Sequence, residues 1–578
     1  MVAVITLMLA CSWLWMAPLL LVPLTNSCRV VRGGEHRASS GLHASTATGA
    51  AVSGDPWLDG VLPEPRQDET PRTGGQVVVH SYTEPPSLNP LVDSDWWGSQ
   101  ISRHIYGRLV NIDPYDDPDY RHTPDLAETW EISPDRREFT FHLRRGVRWH
   151  DGKPFSARDV VATFDKIQHP KTRCVHVRAY TEELESYRAV DEHTVVFKWK
   201  RPYFMVLDVM NDIDIQPAHI LEKLSPTDYN QAATNPINRR PVGTGPFRFQ
   251  EWRSHERIVL PRNEAYWGRK PYLEQVTVRI VQDSTVALEL AQRGELDVVN
   301  QVSSEQWIRM RGAELRKRFW RSKFFDANYA WIGWNLKRPL FADRRVRRAL
   351  TLLVDRPGMI QGLSHHLALP TTCHFYHRSN DCDPTLAPLP FDPEGAVRLL
   401  EEAGWRDADQ DGIREREGQP FRFVFMVPAS SEGAERMAAK MKEDFWRAGI
   451  DLRLQKVEWS AFTRRLTEKK FDACVLLWGG GPRSDPTQIW ATSSIQGGSN
   501  YISFSHPRVD QILSEARVLF EDDKRQALYR EFGRILHDEQ PYTFLWIRPR
   551  LALVHRRIHG VRESLLFWQY QDWWVDPS

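Results

Sequence analysis

The stretch VTVRIVQDSTVALELAQRGELDVVN at 276–300 constrains the fold more than any other part of the chain. Val276, Val278 and Ile280 alternate with polar residues and predict a strand. Asp283 or Ser284 then caps a helix that gathers Ala287, Leu290 and Ala291 on one face, Gly294 ends it, and LDVV opens a second strand. A strand, helix, strand crossover of this kind belongs to an α/β architecture. Other segments obey the same grammar. Phe139, Phe141 and Leu143 alternate before the turn residues HDGKP and predict a hairpin. Ser156 and Asp159 frame a capping box for a helix that buries Val160, Val161 and Phe164. Asp343 caps a run with Val346, Ala349, Leu350 and Leu353 on one face, and Asp392-Pro393 opens a helix carrying Ala396, Leu399, Leu400 and Ala403 before Gly404. A single hydrophobic core would be unusual in 578 residues, so two large lobes or three domains are expected.

Residues 1–24 hold no charged side chain and are long and apolar enough to cross a bilayer, which also fits an export signal. TNSC ends at Cys28, where a lipoprotein signal would place its acylated cysteine, although Thr25 stands where Leu is usual. Lipidation at Cys28, cleavage to a soluble form and a retained N-terminal anchor all put the bulk of the chain outside the cytoplasm. From 29 to 74 the chain is rich in Gly, Ala, Ser, Thr and Pro and reads as a flexible tether. No second apolar run of membrane-spanning length follows, so any transport role requires a separate membrane partner. Export permits disulfides, and Cys373 with Cys382 brackets the short polar loop CHFYHRSNDC. Free thiols, or a zinc site using His374 and His377, are the alternatives for that loop.

Charge excludes some functions. Lys and Arg number 76 against 75 Asp and Glu, so no global field gathers nucleic acid. Neither a nucleophile elbow nor a P-loop nor a strand-borne dinucleotide fingerprint is present. PVGTGPF at 241–247 reads as a structural turn, because Pro246 removes an amide that a phosphate cradle would need. Asp407, Asp409 and Asp411 resemble the opening of a calcium loop, but Gly418 stands where the closing bidentate Glu is required. The chain is therefore expected to bind rather than to catalyse, and to need no cofactor and no metal. The 23 tryptophans can fill cores or line a pocket for organic molecules.

The run LAETWEISPDRREFTFHLRRGVRWHDGKPFSARDVVATFD at 126–165 closely resembles the signature region of ABC-transporter solute-binding proteins of family 5, the peptide and nickel class. PVGTGPFRFQEW at 241–252, NEAYWGRKPYLEQVTVRI at 263–280, LAQRGELDVV at 290–299, PLFADRRVRRALTLLVDRPGMI at 339–360, FDPEGAVRLLEEAGW at 391–405 and SNYISFSHPRVDQIL at 499–513 continue the likeness in order. The resemblance implies a two-lobed periplasmic-binding-protein fold of the large type II class. Lobe one would span about 75–325, with a small subdomain near 110–235 and a C-terminal return over 545–578; lobe two would span 326–544. It also implies a monomer in the periplasm or on the outer face of the cytoplasmic membrane. There it would pass a peptide or other small-molecule ligand to an ABC permease and ATPase complex. A sensory role for the same fold and an extracytoplasmic hydrolase are the alternatives.

By the same resemblance the ligand lies beside SYTEPPSLNPLVDSDWW, which supplies Glu84, Trp96 and Trp97, and beside LLWGGGPRSDPTQIW, which supplies Trp478, Arg483 and Asp485. Peptide-binding members commonly carry an aspartate shortly before the Asp-Pro of the second stretch. Here Gly479 to Ser484 include no acid, which opens saccharides, opines or other small organic solutes as alternatives to peptides.

Overall fold

The computed structural model describes residues 53–576 apart from 67, 94, 232–234 and 567. The expected export segment, Cys28 and the tether as far as residue 52 lie outside the described residues. No helix among the described residues is long and apolar enough to cross a membrane.

Two sheets organise the molecule. The seven-stranded sheet runs in the order Phe319–Phe325, Pro549–His555, Val298–Val299, Gln76–Ser81, Gln275–Ile280, Arg257–Pro261, Glu251–Arg253. Gln76–Ser81 lies parallel to Gln275–Ile280 on one side and to Val298–Val299 on the other. The helix between those two strands, Ser284–Arg293, forms as the sequence predicts: the Asp283 side chain accepts from the amides of Thr285 and Val286, and Gly294 closes it at a φ of 84°. Ala287 and Ala291 are buried beneath it, while Leu290 is half-buried.

The five-stranded sheet of the second lobe has the order Asp451–Val457, Arg422–Pro428, Ala473–Gly479, Asn328–Trp334, Tyr542–Phe544. Its helices cover both faces. Val346, Ala349, Leu350 and Leu353 pack with Ala396, Leu400 and Phe445 on one face, and Trp490, Ile512 and Phe532 pack on the other. The chain passes from the first sheet to the second between Phe325 and Asn328, and returns between Phe544 and Pro549. Two short crossings next to each other are the geometry of a hinge.

A four-stranded antiparallel sheet, Ala127–Ile132, Glu138–Leu143, Thr194–Trp199, Leu184–Asp191, backs onto the helix Ala157–Gln168. Phe139, Phe141 and Leu143 do alternate inward. The hairpin expected around HDGKP is not formed, because Glu138–Leu143 pairs with Ala127–Ile132 and Thr194–Trp199, and HDGKP closes only the bridge from Arg148 to Pro154. Cross-strand packing of Phe141 on Phe197, with ring centroids 5.8 Å apart, outweighs the local turn. The capping box of Ser156 and Asp159 is present, but Val161 is only half-buried and Ile167 fills the core instead.

One expectation fails within the described part of the tether. Asp55 caps the turn Pro56–Asp59, whose Trp57 is 3% exposed and donates its indole N–H to the carbonyl of Phe319 at 2.9 Å. A buried indole removes enough apolar surface from water to order a short segment that composition alone marks as flexible. The glycines of PVGTGPF form a turn because they must pack on backbone: a Cβ on Gly243 would lie 1.9 Å from the carbonyl oxygen of Ile105.

A charged cluster sits where the crossings leave the first sheet. Arg550 pairs with Asp326 at 3.4 Å, and Ser322 donates to Glu563 at 2.6 Å. Burial raises the Glu563 carboxyl to about 7, with the Ser322 hydrogen bond and the Arg550 charge opposing the rise. An acid whose pKa is higher in the folded state favours folding in acid, and that contribution is lost as pH rises through the folded value. Glu563→Gln should therefore leave the melting temperature unchanged near about pH 4 and raise it by a few degrees near about pH 8. Differential scanning fluorimetry across that range checks it; equal shifts at both ends would remove the burial argument.

Candidate functional site: the seam between the lobes

The small subdomain meets the second lobe along a seam built from side chains of both. Phe204 donates its amide to the carbonyl of Arg517 at 3.1 Å, and the guanidinium of Arg525 lies 4.3 Å from the centre of the Phe204 ring. Tyr376 donates to Asp117 at 3.3 Å, and Arg378 pairs with the same carboxylate at 2.5 Å. A cavity of about 350 Å³ opens on this seam between Arg201 and Tyr203 on one wall and Thr487, Leu513 and Arg517 on the other. That volume falls in the range of small-molecule pockets.

The loop after the strand Ala473–Gly479 forms the second lobe's edge of the seam. Gly480 donates its amide to Ala327 in the first crossing at 2.6 Å, so the loop is tied to the hinge. Arg483 reaches across and donates to the carbonyl of Asp119 at 2.8 Å and to the Asp208 carboxylate at 3.3 Å. Asp485 accepts from Tyr203 of the subdomain at 3.1 Å and pairs with Arg517 of its own lobe, also at 3.1 Å. Burial pushes the Asp208 carboxyl up, but contacts from His122 and Arg483 more than offset this and hold it below the usual carboxylate range.

Behind this loop, Cys373 and Cys382 form a disulfide. The disulfide loop carries His374, whose Nδ1 faces the hydroxyl of Tyr329 at 2.8 Å and the indole N–H of Trp490 at 3.2 Å. Indole is a donor only, so Nδ1 accepts, and Nε2–H is left to donate to Ser484 at 3.3 Å. Burial lowers the His374 pKa to about 3, so the ring is neutral and acts as a prop. The zinc alternative loses both thiolates to the disulfide.

The residues that resemblance nominated divide into two groups. Arg483 and Asp485 stand at the seam but are engaged by protein. Glu84 is held within the first lobe: it accepts from the Trp252 indole at 2.7 Å and the His255 amide at 3.0 Å, and Arg239 lies 3.3 Å away. Burial would raise its pKa, but these hydrogen bonds bring it below the usual value. Trp96 opens the helix Trp96–Ser102 and is 39% exposed, whereas Trp97 is 4% exposed with its ring edge-on to Tyr82 at 5.6 Å. Trp478 sits in a stack, 5.7 Å from Trp331 and 5.8 Å from Tyr501. Trp97 and Trp478 each pack against aromatic neighbours.

Sequence reasoning missed the opposite wall, where Asp119, Tyr203 and Asp208 meet Arg483 and Asp485. The signal lay in RPYFMVLDVMND, whose Tyr203 and Asp208 stand before and on the helix Val206–Asp212. The acidic loop at 407–415 draws the carboxylates of Asp407, Asp409 and Glu415 within 4.8 Å of one another. Those groups accept from the amides of Gly412, Asp411 and Ala408, as turn carboxylates do.

Two cored lobes, two crossings and a cavity-bearing seam are the architecture of a two-lobed solute-binding protein. A model of the bacterial extracellular solute-binding proteins, family 5 middle region, matches residues 121–500, and the chain belongs to that family. It is 27% identical over 515 residues to the oligopeptide-binding protein AppA of Bacillus subtilis, covering 87% of this chain and 92% of that protein. The dipeptide-binding protein of Escherichia coli is also 27% identical, over 512 residues, with 84% and 91% covered. The structure of AppA in complex with a nonapeptide superposes with a TM-score of 0.73 at 25% identity, covering 88% of this chain and 100% of that one. NikZ of Campylobacter jejuni in complex with Ni(L-His) shares the fold, with a TM-score of 0.74 at 22% identity, covering 86% and 99%. The protein is an extracytoplasmic solute-binding protein of the ABC importer type.

Arg483→Ala removes two charge-assisted contacts across the seam, each of the kind that contributes about 1.5–3 kcal/mol. The variant should populate the open form more and show a larger radius of gyration by solution scattering without added solute. Identical scattering from variant and parent would show that Arg483 does not hold the lobes together.

Proposed function

We propose that this protein captures a peptide or peptide-like small organic solute between its lobes and delivers it, chemically unchanged, to a membrane permease powered by an ATPase. The observation that carries this reading is the seam. It is polar and partly hollow, and it is bounded by two bodies that each have their own core and can part at two short crossings. A guest touching both walls favours closure to the extent that it binds the closed form better, and the closed form presents one composite surface to a partner. Two relatives that align over most of the chain bear the names oligopeptide-binding and dipeptide-binding protein, which supports a peptide class of solute. Delivery from the periplasm or outer membrane face, as a monomer, is part of the same proposal.

Offered a tryptic digest of casein, the protein should retain a subset of peptides intact by mass spectrometry and melt at a higher temperature. A ligand at a hundredfold excess over Kd stabilises the folded state by about 2.7 kcal/mol. Cleaved products, or no peptide retained and no shift in melting, would overturn the reading.

A further inference from the structure

The side chain of Tyr376 leaves the second lobe and ends inside the first. Its neighbour Phe375 is anchored in the second-lobe core, with its ring centre 4.6 Å from that of Tyr529. Tyr376 itself is 3% exposed and belongs to a separate small cluster with Ile112 and Tyr120 of the subdomain, Leu565 of the C-terminal return and Ala327 of the first crossing. Its ring meets Tyr120 edge-on at 6.2 Å, and its hydroxyl donates to Asp117 at 3.3 Å. The next two residues grip the same wall. His377 lies edge-on to Phe325, where the strand enters the first crossing, at 5.9 Å, and Arg378 pairs with Asp117 at 2.5 Å. One loop of the second lobe thus plugs a first-lobe socket beside the hinge, separately from the Arg483 clasp.

The plug depends on its own base for shape. Residues 371–392 form neither helix nor strand. Ser379 donates its amide to the carbonyl of Tyr376 at 2.8 Å and Cys382 donates to that of Ser379 at 3.2 Å, so the tip is a pair of turns. The Cys373–Cys382 bond closes those turns across nine residues. Irregular backbone has no ladder to hold it, and a covalent link restricts the conformations it can visit. Arg530 and Arg534 hold the far side of the segment at Asn380 and Asp383, so breaking the disulfide frees the plug and not the whole segment. Both cysteines are half-buried, which leaves them within reach of a small thiol.

Resting on the capture reading above, we propose that the loop 373–382 is a redox-sensitive latch of the closed form: the intact disulfide keeps Tyr376 in its socket, and reduction by a dithiol releases it, loosens closure and weakens retention of solute. In that step a thiolate of the dithiol attacks one sulfur and the Cys373–Cys382 bond breaks. Two electrons and two protons pass to the cysteines as the dithiol becomes a cyclic disulfide. The latch adds to the affinity for any guest without touching it, because it favours the closed form that the guest binds better.

Solution scattering and retention of a tryptic casein digest, each with and without dithiothreitol, test this on the full chain. After dithiothreitol, with two further thiols counted by titration, the parent's radius of gyration without solute should rise and the peptide it retains should fall about threefold or more. The double variant Cys373→Ser, Cys382→Ser should match the reduced parent and respond no further, and Tyr376→Ala should open the oxidised protein. Melting curves check that the variants fold; if the double variant does not, the parent and Tyr376→Ala decide. The proposal fails if the reduced parent matches the oxidised one, or if the disulfide stays closed in excess reductant. It fails equally if Tyr376→Ala scatters and retains as the parent does, or if dithiothreitol weakens the double variant as much as the parent. Peptide retention by the oxidised parent leaves capture standing in each of these cases. An oxidised parent that retains nothing overturns capture, and the scattering still decides the latch.

Discussion

The rest of the structure depends on the clasp between Arg483 and the subdomain wall of Asp119 and Asp208, with Asp485, Tyr203 and Arg517 beside it. Two lobes joined at only two crossings have no covalent reason to stay together, so the contact surface sets their relation. Its contacts are ionic and partly buried. Such pairs gain from the low local dielectric but bear a desolvation cost, so their net contribution is small enough for a guest to tip the balance. A seam of apolar side chains would close permanently and could not release what it holds.

Other features position that clasp. The Cys373–Cys382 disulfide fixes the loop that carries His374, and His374 supports Ser484 from behind. Gly480 ties the same loop to Ala327 at the hinge. The stack of Tyr501, Trp478, Trp331 and Tyr542 stiffens the strand from which the loop departs. Several of the 23 tryptophans are thus explained as packing beside the seam.

Much of the fold was legible in the sequence because it rests on local rules. The caps at Asp283, Asp343 and Asp392 and the inward alternation of Phe139, Phe141 and Leu143 need only neighbours in the chain. The partners of Glu138–Leu143 could not be read, since they come from more than fifty residues away at Thr194–Trp199 as well as from nearby. Trp57 misled for a related reason: its binding groove belongs to Phe319. The site was legible only as two neighbourhoods. Resemblance pointed to 81–97 and 476–490, but which side chains turn to the seam depends on how the lobes meet. Thus Arg483 and Asp485 engage protein, Glu84 is locked by Trp252, and Tyr203 and Asp208 were overlooked.

The claim that a shared guest drives closure is tested most directly by the distance across the seam. Spin labels at Lys200→Cys on the subdomain and Glu515→Cys on the second lobe, read by pulsed electron–electron double resonance, report it; among the described residues the free cysteines, Cys174 and Cys474, are buried. With a casein digest present, the distance distribution should narrow to a single short population, and after dialysis a longer one should return. A distribution that no retained solute alters would contradict the account.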